Sequence, residues 1–507
     1  MNRTKITLCN EYRTATVDQR IFGSFVEHLG RAVYGGIYDR EHSTADSNGF
    51  RQDVLSLIRE IGVPLIRYPG GNFVSGFRWE DSVGDVSTRP RRTDLAWQTI
   101  ETNEIGVNEF TDFLRQANAE MMMAVNLGTR GADAAVALLE YCNIPKGTYY
   151  SDLRRSHGVE QPHNFKLWCL GNEADGPWQM CHKTAYEYGR IASETGKMMR
   201  WLDPDIELVA CGSSNSSMTT YGQWEADVLT ECYDQVDYIS VHQYYGNRSD
   251  DTPDFLAKYL DMDRNIRTVV SICDYIKGRR HSTKTLNISF DEWNVWYHSK
   301  PYELEMRKKA RWQIAPPLLE DIYNLEDALL VGNMAITLLR HADRIKIACL
   351  AQLVNVIAPI LTKHGGAAIR QTIFYPYMHV SRYGRGVVLQ TLCDSPLHDT
   401  TSFTDVKQVH ECAVYHPDTG EVTVFAVNSS LTEPAETQLR FLDFEPKQVI
   451  EHICLSGKDP KAVNTFDDPF NVAPVYLTGS EIDHHQAMVK LPPLSWNVIR
   501  VQTSNPS

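Results

Sequence analysis

Phe165-Lys-Leu-Trp-Cys-Leu-Gly-Asn-Glu173 is an apolar run that stops abruptly on an Asn-Glu pair, and Leu286-Asn-Ile-Ser-Phe-Asp-Glu292-Trp-Asn ends in the same way. Short, nearly continuous apolar runs read as strands buried on both faces, the pattern of a parallel sheet. Two such strands, each carrying a carboxylate to its C-terminal end, point to a pair of working acids at the mouth of a barrel.

Further runs of this kind lie at residues 22–27, 64–71, 121–129, 206–214, 236–245 and 346–355, which makes eight. Helical periodicity fills many of the gaps, at 50–61, 107–119, 183–201 and 317–339. This alternation predicts a (β/α)8 TIM barrel over residues 15–383. A doubly wound open sheet is the competitor, but the glycine-rich dinucleotide turn it usually carries is missing. Beyond residue 383 short alternating segments take over, at 387–392, 421–427, 436–442, 487–491 and 496–501. Turn formers such as Pro417-Asp-Thr-Gly420 separate them. An antiparallel β-sandwich over 384–507 is expected, and the alternation at 5–8 predicts that residues 1–14 add a strand to it.

The bulk properties narrow the class. A chain of 507 residues suits one large domain and a smaller one, and 42% apolar with 22% charged residues is an ordinary globular composition. A net charge of −14 argues against nucleic acid as a partner but not against a neutral sugar. No apolar stretch approaches the ~20 residues needed to cross a bilayer. The opening Met1-Asn-Arg-Thr-Lys-Ile-Thr-Leu lacks the apolar core of a secretory signal. Eleven scattered cysteines without a Cys-x-x-Cys pair read as reduced, buried thiols. Together these predict a cytoplasmic protein.

The strand ends carry the chemistry. They include Glu27-His28, Arg67 with Asn72 beyond it, Asn172-Glu173, His242 with Tyr244, Asp291-Glu292, and Gln352 with Asn355. Any one of these could cap a helix, but Arg, His, Tyr and Glu are poor N-caps. At roughly 44 residues per βα unit, Glu173 and Glu292 fall on strands four and seven, which face each other across the mouth. Glycoside cleavage needs such a pair: one acid protonates the departing oxygen, and the other carboxylate attacks the anomeric carbon or activates water. Asn172 is placed to bond a sugar hydroxyl, and Tyr244 to hold a Glu292 oxygen. Trp178, Trp293 and Trp296 offer flat apolar platforms for a sugar ring, or simply loop packing. Gly70-Gly71 would permit unusual backbone angles that turn Asn72 into the site. Arg67 either orients a carboxylate or is a satisfied barrel charge. No His-x-His ligand cluster appears at the strand ends, so no metal or other cofactor is expected. His484-His485 reads as a solvated turn.

These residues together resemble glycoside hydrolase family 51, the α-L-arabinofuranosidases. The match lies in Gly23-Ser-Phe-Val-Glu27-His28, Arg67-Tyr-Pro-Gly-Gly-Asn72, Trp168-Cys-Leu-Gly-Asn172-Glu173, Ser240-Val-His242-Gln-Tyr244-Tyr and Phe290-Asp-Glu292-Trp-Asn, and it runs through Ala351-Gln352 to the β-rich tail. The resemblance implies a retaining, exo-acting enzyme that removes terminal α-L-arabinofuranosyl residues from arabinan- or arabinoxylan-derived oligosaccharides. It implies Glu173 as acid/base, Glu292 as nucleophile, and Glu27, Asn72, Asn172, Tyr244 and Gln352 around the arabinofuranosyl ring. Trp97 and Trp296 would border the entrance, and Arg67 and His242 would support the nucleophile. It further implies no metal and a homo-oligomer, often a hexamer. Residues 81–93 are a candidate lining for the leaving group.

Overall fold

The computed structural model describes residues 3–504, so the outermost residues of the predicted N-terminal strand and sandwich lie outside the description. Eight parallel strands close into a barrel: β1 (Gly23–Phe25), β2 (Leu65–Tyr68), β3 (Glu120–Ala124), β4 (Leu167–Cys169), β5 (Glu207–Ala210), β6 (Tyr238–Tyr245), β7 (Asn287–Val295) and β8 (Ile345–Ala351). All eight predicted strands are present, most of them shorter than their apolar runs. The surplus residues continue beyond the ladder as the strand-end loops. The interior is filled by Leu65, Met122, Leu167, Val209, Ile347 and Cys349, so the barrel is a packed core and not a pore.

The helices sit where periodicity placed them, with one difference. The expected helix 317–339 begins only at Leu325. Asn324 caps it by accepting from the Asp327 N–H, and residues 317–324 are irregular chain. Leu319 there has φ 53 and is buried, so its apolar character reports a buried loop and not a helix face.

The C-terminal region holds two sheets. The seven-stranded one is antiparallel throughout and runs Arg13–Thr16, Val387–Leu389, Val409–His416, Glu421–Asn428, Ser495–Thr503, Pro446–Ser456, Val475–Tyr476. The five-stranded one departs from the expectation at one pair: Arg3–Leu8 lies parallel to Ala435–Phe441. Strands so far apart in sequence are not joined by a hairpin, so nothing imposes the antiparallel sense on them. Ile6, Leu8, Val422, Val424, Leu439, Val489 and Val501 form the apolar layer between the sheets.

Helix Leu325–Arg340 is buried along its whole length except at Arg340, because the barrel covers one side and the seven-stranded sheet the other. Its Gly332 lies against Trp496, and a Cβ there would come within 2.6 Å of the indole. Trp496 also stacks on Phe425 and donates its Nε1–H to His379 Nδ1 at 3.1 Å. Trp496→Ala is therefore expected to cost about 3–5 kcal/mol, read as a lower urea midpoint; an unchanged midpoint would show that the junction does not depend on this side chain.

Candidate active site

The site forms where the barrel strands end, and Arg67 on β2 is its centre. Its Nη1 donates to Glu292 Oε1 at 2.7 Å, and its Nη2 donates to Asn172 Oδ1 at 2.6 Å. Its Nε lies 3.5 Å from Asp291 Oδ2, and the guanidinium sits 4.8 Å over the Phe25 ring. The residue is 1% exposed. Burial alone would push its proton off, but the charges of Asp291 and Glu292 hold it well above the usual arginine range. Of the two readings left open for Arg67, the geometry fits the orienting one.

Asp291 and Glu292 are neighbours in a strand, and in a regular strand they would face opposite sides. The register of β7 against β8 shifts between Phe290 and Trp293, and β6 shifts against β7 between Ser240 and His242. These irregularities turn both carboxylates toward the same buried cluster. His242 on β6 bridges it: Nδ1 lies 3.0 Å from Glu173 Oε1 and Nε2 lies 2.9 Å from Asp291 Oδ1. Burial lowers its affinity for a proton, yet the nearby Glu292 charge and the bonds to Asp291 and Glu173 raise its pKa to about 10. His242 thus bonds directly to Glu173 and stands 3.7 Å from Glu292; it supports the first carboxylate more closely than the second, which the resemblance did not indicate.

Glu173 follows β4 with φ 43, in the left-handed region that a glutamate rarely enters. The chain then turns so that the Gly176 N–H donates to the Glu173 carbonyl. Gly176 leaves room for the Trp178 indole, which a Cβ would meet at 2.6 Å. Trp178 folds back and donates its Nε1–H to Glu173 Oε2 at 2.9 Å. Burial raises the Glu173 pKa, the His242 bond opposes this, and the Glu292 charge raises it further. On Glu292 the second oxygen, Oε2, accepts from the Tyr244 hydroxyl at 2.8 Å. Carboxylate oxygens of Glu173 and Glu292 lie within 4.8 Å of each other.

A cavity of about 460 Å³ opens over this pair and is lined by Glu27, Asn72, Trp97, Tyr244, Trp296 and Gln352 among others. Asn172, Arg67 and His242 lie behind its wall. The Asn172 Nδ2 is buried without a partner. Glu27 accepts from the Phe73 N–H at 2.8 Å and from Trp97 Nε1 at 2.9 Å, and burial raises its pKa to about 8. Gln352 Oε1 in turn accepts from the Glu27 N–H. The Asn72 Oδ1 accepts from Gln179 Nε2. Gly70 and Gly71 have a different role from the expected one: neither has positive φ, but a Cβ would strike Glu27, at 2.9 Å from Cγ and 2.7 Å from Oε2 respectively. The glycines let the backbone approach the buried carboxylate.

Residues 81–93 do not line the cavity. That side is taken by Lys300, Glu303 and Arg307, from the loop and short helix after β7. Those three, Gln179 and the role of Asp291 were not singled out in the sequence. Only Asp291 offered a signal, as the acidic neighbour of Glu292. Glu173, His242 and Glu292 have the spacing of a metal site. Both His242 nitrogens, however, are committed to carboxylates, Nδ1 to Glu173 and Nε2 to Asp291. His484, at a turn, is exposed.

Two opposed carboxylates at the C-terminal mouth of a (β/α)8 barrel, one of them with a raised pKa, define a glycoside hydrolase site. Residues 57–267 match the α-L-arabinofuranosidase 1 domain and residues 291–495 the α-L-arabinofuranosidase C-terminal domain. The chain is 57% identical, over 99% of both chains, to intracellular exo-α-(1→5)-L-arabinofuranosidase 1 of Bacillus subtilis (strain 168). It is 56% identical to the intracellular exo-α-(1→5)-L-arabinofuranosidase of Acetivibrio thermocellus, over 99% of this chain and 100% of that one. Among solved structures, a family 51 α-L-arabinofuranosidase from Bifidobacterium longum superposes with a TM-score of 0.94 at 41% identity, covering 99% of this chain and 100% of that one. The chain belongs to glycoside hydrolase family 51, the α-L-arabinofuranosidases.

The histidine carries a stability signature. Its folded pKa of about 10 lies above the ordinary 6.5, so its contribution is complete below pH 6.5 and is lost as pH rises toward 10. Wild type should lose up to about 1.4 kcal/mol of stability per pH unit in that window relative to His242→Gln. Urea midpoints measured across pH 6–10 check this; parallel curves for the two proteins would refute it.

Proposed function

We infer that Glu292 and Glu173 carry the two displacements by which this retaining α-L-arabinofuranosidase removes a terminal α-L-arabinofuranosyl residue from arabinan- or arabinoxylan-derived oligosaccharides. The observation that supports the assignment most directly is the approach of the two carboxylates to within 4.8 Å. Single oxygens this close suit the carboxyl separation of about 5–5.5 Å in retaining enzymes better than the ~6.5–9.5 Å at which inverting ones seat a water. Glu292, held by Arg67 on one oxygen and Tyr244 on the other, attacks the anomeric carbon. The bond to the leaving oxygen breaks as Glu173 protonates that oxygen. Glu173, now ionised, takes a proton from water; the water oxygen attacks the same carbon and the ester to Glu292 breaks.

The buried charges favour a preloaded acid. Arg67 and His242 are cations, Asp291 and Glu292 anions, so the cluster is neutral when Glu173 carries its proton. Glu27, Asn72, Tyr244 and Gln352 surround the furanose in this reading, with the unpartnered Asn172 Nδ2 behind them and Trp97 and Trp296 at the entrance. The relatives' names favour the α-(1→5) linkage and an intracellular location, and no helix among the described residues is long and apolar enough to cross a membrane. We assign the chain to the cytoplasm as a homo-oligomer, a hexamer by resemblance, and divide it into a catalytic barrel (15–383) and a β-sandwich (384–507, with 1–14).

Glu292→Ala should lose roughly 10⁴-fold or more in kcat on every substrate. Glu173→Ala should retain the first step on aryl arabinofuranosides with good leaving groups, and azide should restore turnover as the arabinofuranosyl azide. Equal, unrescuable losses would contradict the assignment. Trp178→Phe removes a donor that favours ionised Glu173, so the alkaline limb of kcat/KM should move up by about half a pH unit. A downward move or none would remove Trp178 from the acid's environment in solution.

A further inference from the structure

A second cavity, of about 390 Å³, meets the active-site cavity at Tyr244, Trp296 and Lys300. Arg248 and Lys258 line it, and with Lys300 they put three cations around one opening on a chain whose net charge is −14. The acids nearby are already engaged. Asp254, the one carboxylate in the lining, bonds Lys258 Nζ at 2.8 Å, Thr400 Oγ1 and the Ser402 N–H. Asp250 pairs with Lys461 at 2.6 Å, Asp251 accepts from the Asp254 N–H, and Glu303 lies 3.3 Å from Arg307. Among the described residues Arg248 has no carboxylate partner. The Lys300 ammonium lies 4.4 Å over the Trp296 ring; burial and then the Arg248 charge push its pKa down, while the Glu303 and Glu173 charges pull it up.

We propose that this second cavity is a leaving-group subsite that takes a carboxylate-bearing sugar, a uronic or aldonic acid residue, with the Arg248 guanidinium as its unpaired anion receptor and Lys300 at the junction. This rests on the arabinofuranosidase reading, because the leaving group must emerge past Tyr244 and Trp296 to reach it. A guanidinium without a partner offers a planar fork that fits a carboxylate bidentately. The aromatic rings of Trp296 and Tyr297 in the same lining supply apolar surface for a sugar. An arabinan fragment ending in a neutral residue gains nothing from the cations, whereas one ending in an acid does.

The probes are α-(1→5)-L-arabinotriose oxidised at its reducing end to the aldonate and the same trisaccharide reduced to the alditol. The wild-type enzyme should show kcat/KM about fivefold higher for the aldonate at low salt, and 0.5 M NaCl should erase the difference. Arg248, exposed at the surface, can be varied without opening the core. Arg248→Gln should bring the ratio to about one, and Arg248→Glu should reverse it. Equal rates on the two probes in wild type, or a preference that survives Arg248→Gln, would overturn the subsite. Failure to cleave either probe would overturn the arabinofuranosidase reading instead, so the two failures are distinguishable.

Discussion

Arg67 brings one positive charge into the dry centre of the barrel mouth and ties three strand ends to it: Phe25 by its ring, Asn172 by its amide oxygen, Asp291 and Glu292 by their charges. A buried charge is tolerated only if it is paired and hydrogen-bonded. The neighbouring side chains are therefore constrained by Arg67. Removing either Asp291 or Glu292 would leave a charge uncompensated, a loss of the order of 3–5 kcal/mol for a buried pair. His242 extends the same logic, since it bonds Asp291 on one nitrogen and Glu173 on the other.

On the proposed assignment this arrangement keeps the cluster electrically neutral through the first displacement. Glu292 loses its charge on becoming an ester, and Glu173 gains one on releasing its proton. The negative charge moves no further than the gap between the two carboxylates. His242 lies within reach of both. Electrostatic reorganisation is thus small, which is how a preorganised site lowers a barrier.

The barrel was legible in the sequence because strands buried on both faces leave continuous apolar runs, and Glu173 and Glu292 were legible because each ends such a run. The irregular segment 317–324 has a helix-like sequence because a buried loop and a buried helix carry the same composition; only the Asn324 cap marks the boundary. Gly70 and Gly71 look like conformational glycines in the sequence because their close approach to Glu27 depends on a residue more than forty positions away. The preference of His242 for Glu173, and the cavity lining by Lys300, Glu303 and Arg307, were invisible for the same reason. They depend on two strand irregularities and on where a long loop comes to rest, and neither leaves a periodic trace. The parallel pairing of Arg3–Leu8 is equally non-local.

That pairing also bears on how the chain is made. Strands Arg3–Leu8 and Arg13–Thr16 are synthesised before the barrel, yet their partners, Ala435–Phe441 and Val387–Leu389, emerge only after it. Until those partners emerge the two strands are unpaired edges waiting for a distant template, the kind of segment that associates with other nascent chains. The barrel can close in the meantime, because its first strand begins at Gly23. Strands from before and after the barrel thus share one pair of sheets, so the two regions of the chain are held together by pairings that span the whole barrel sequence.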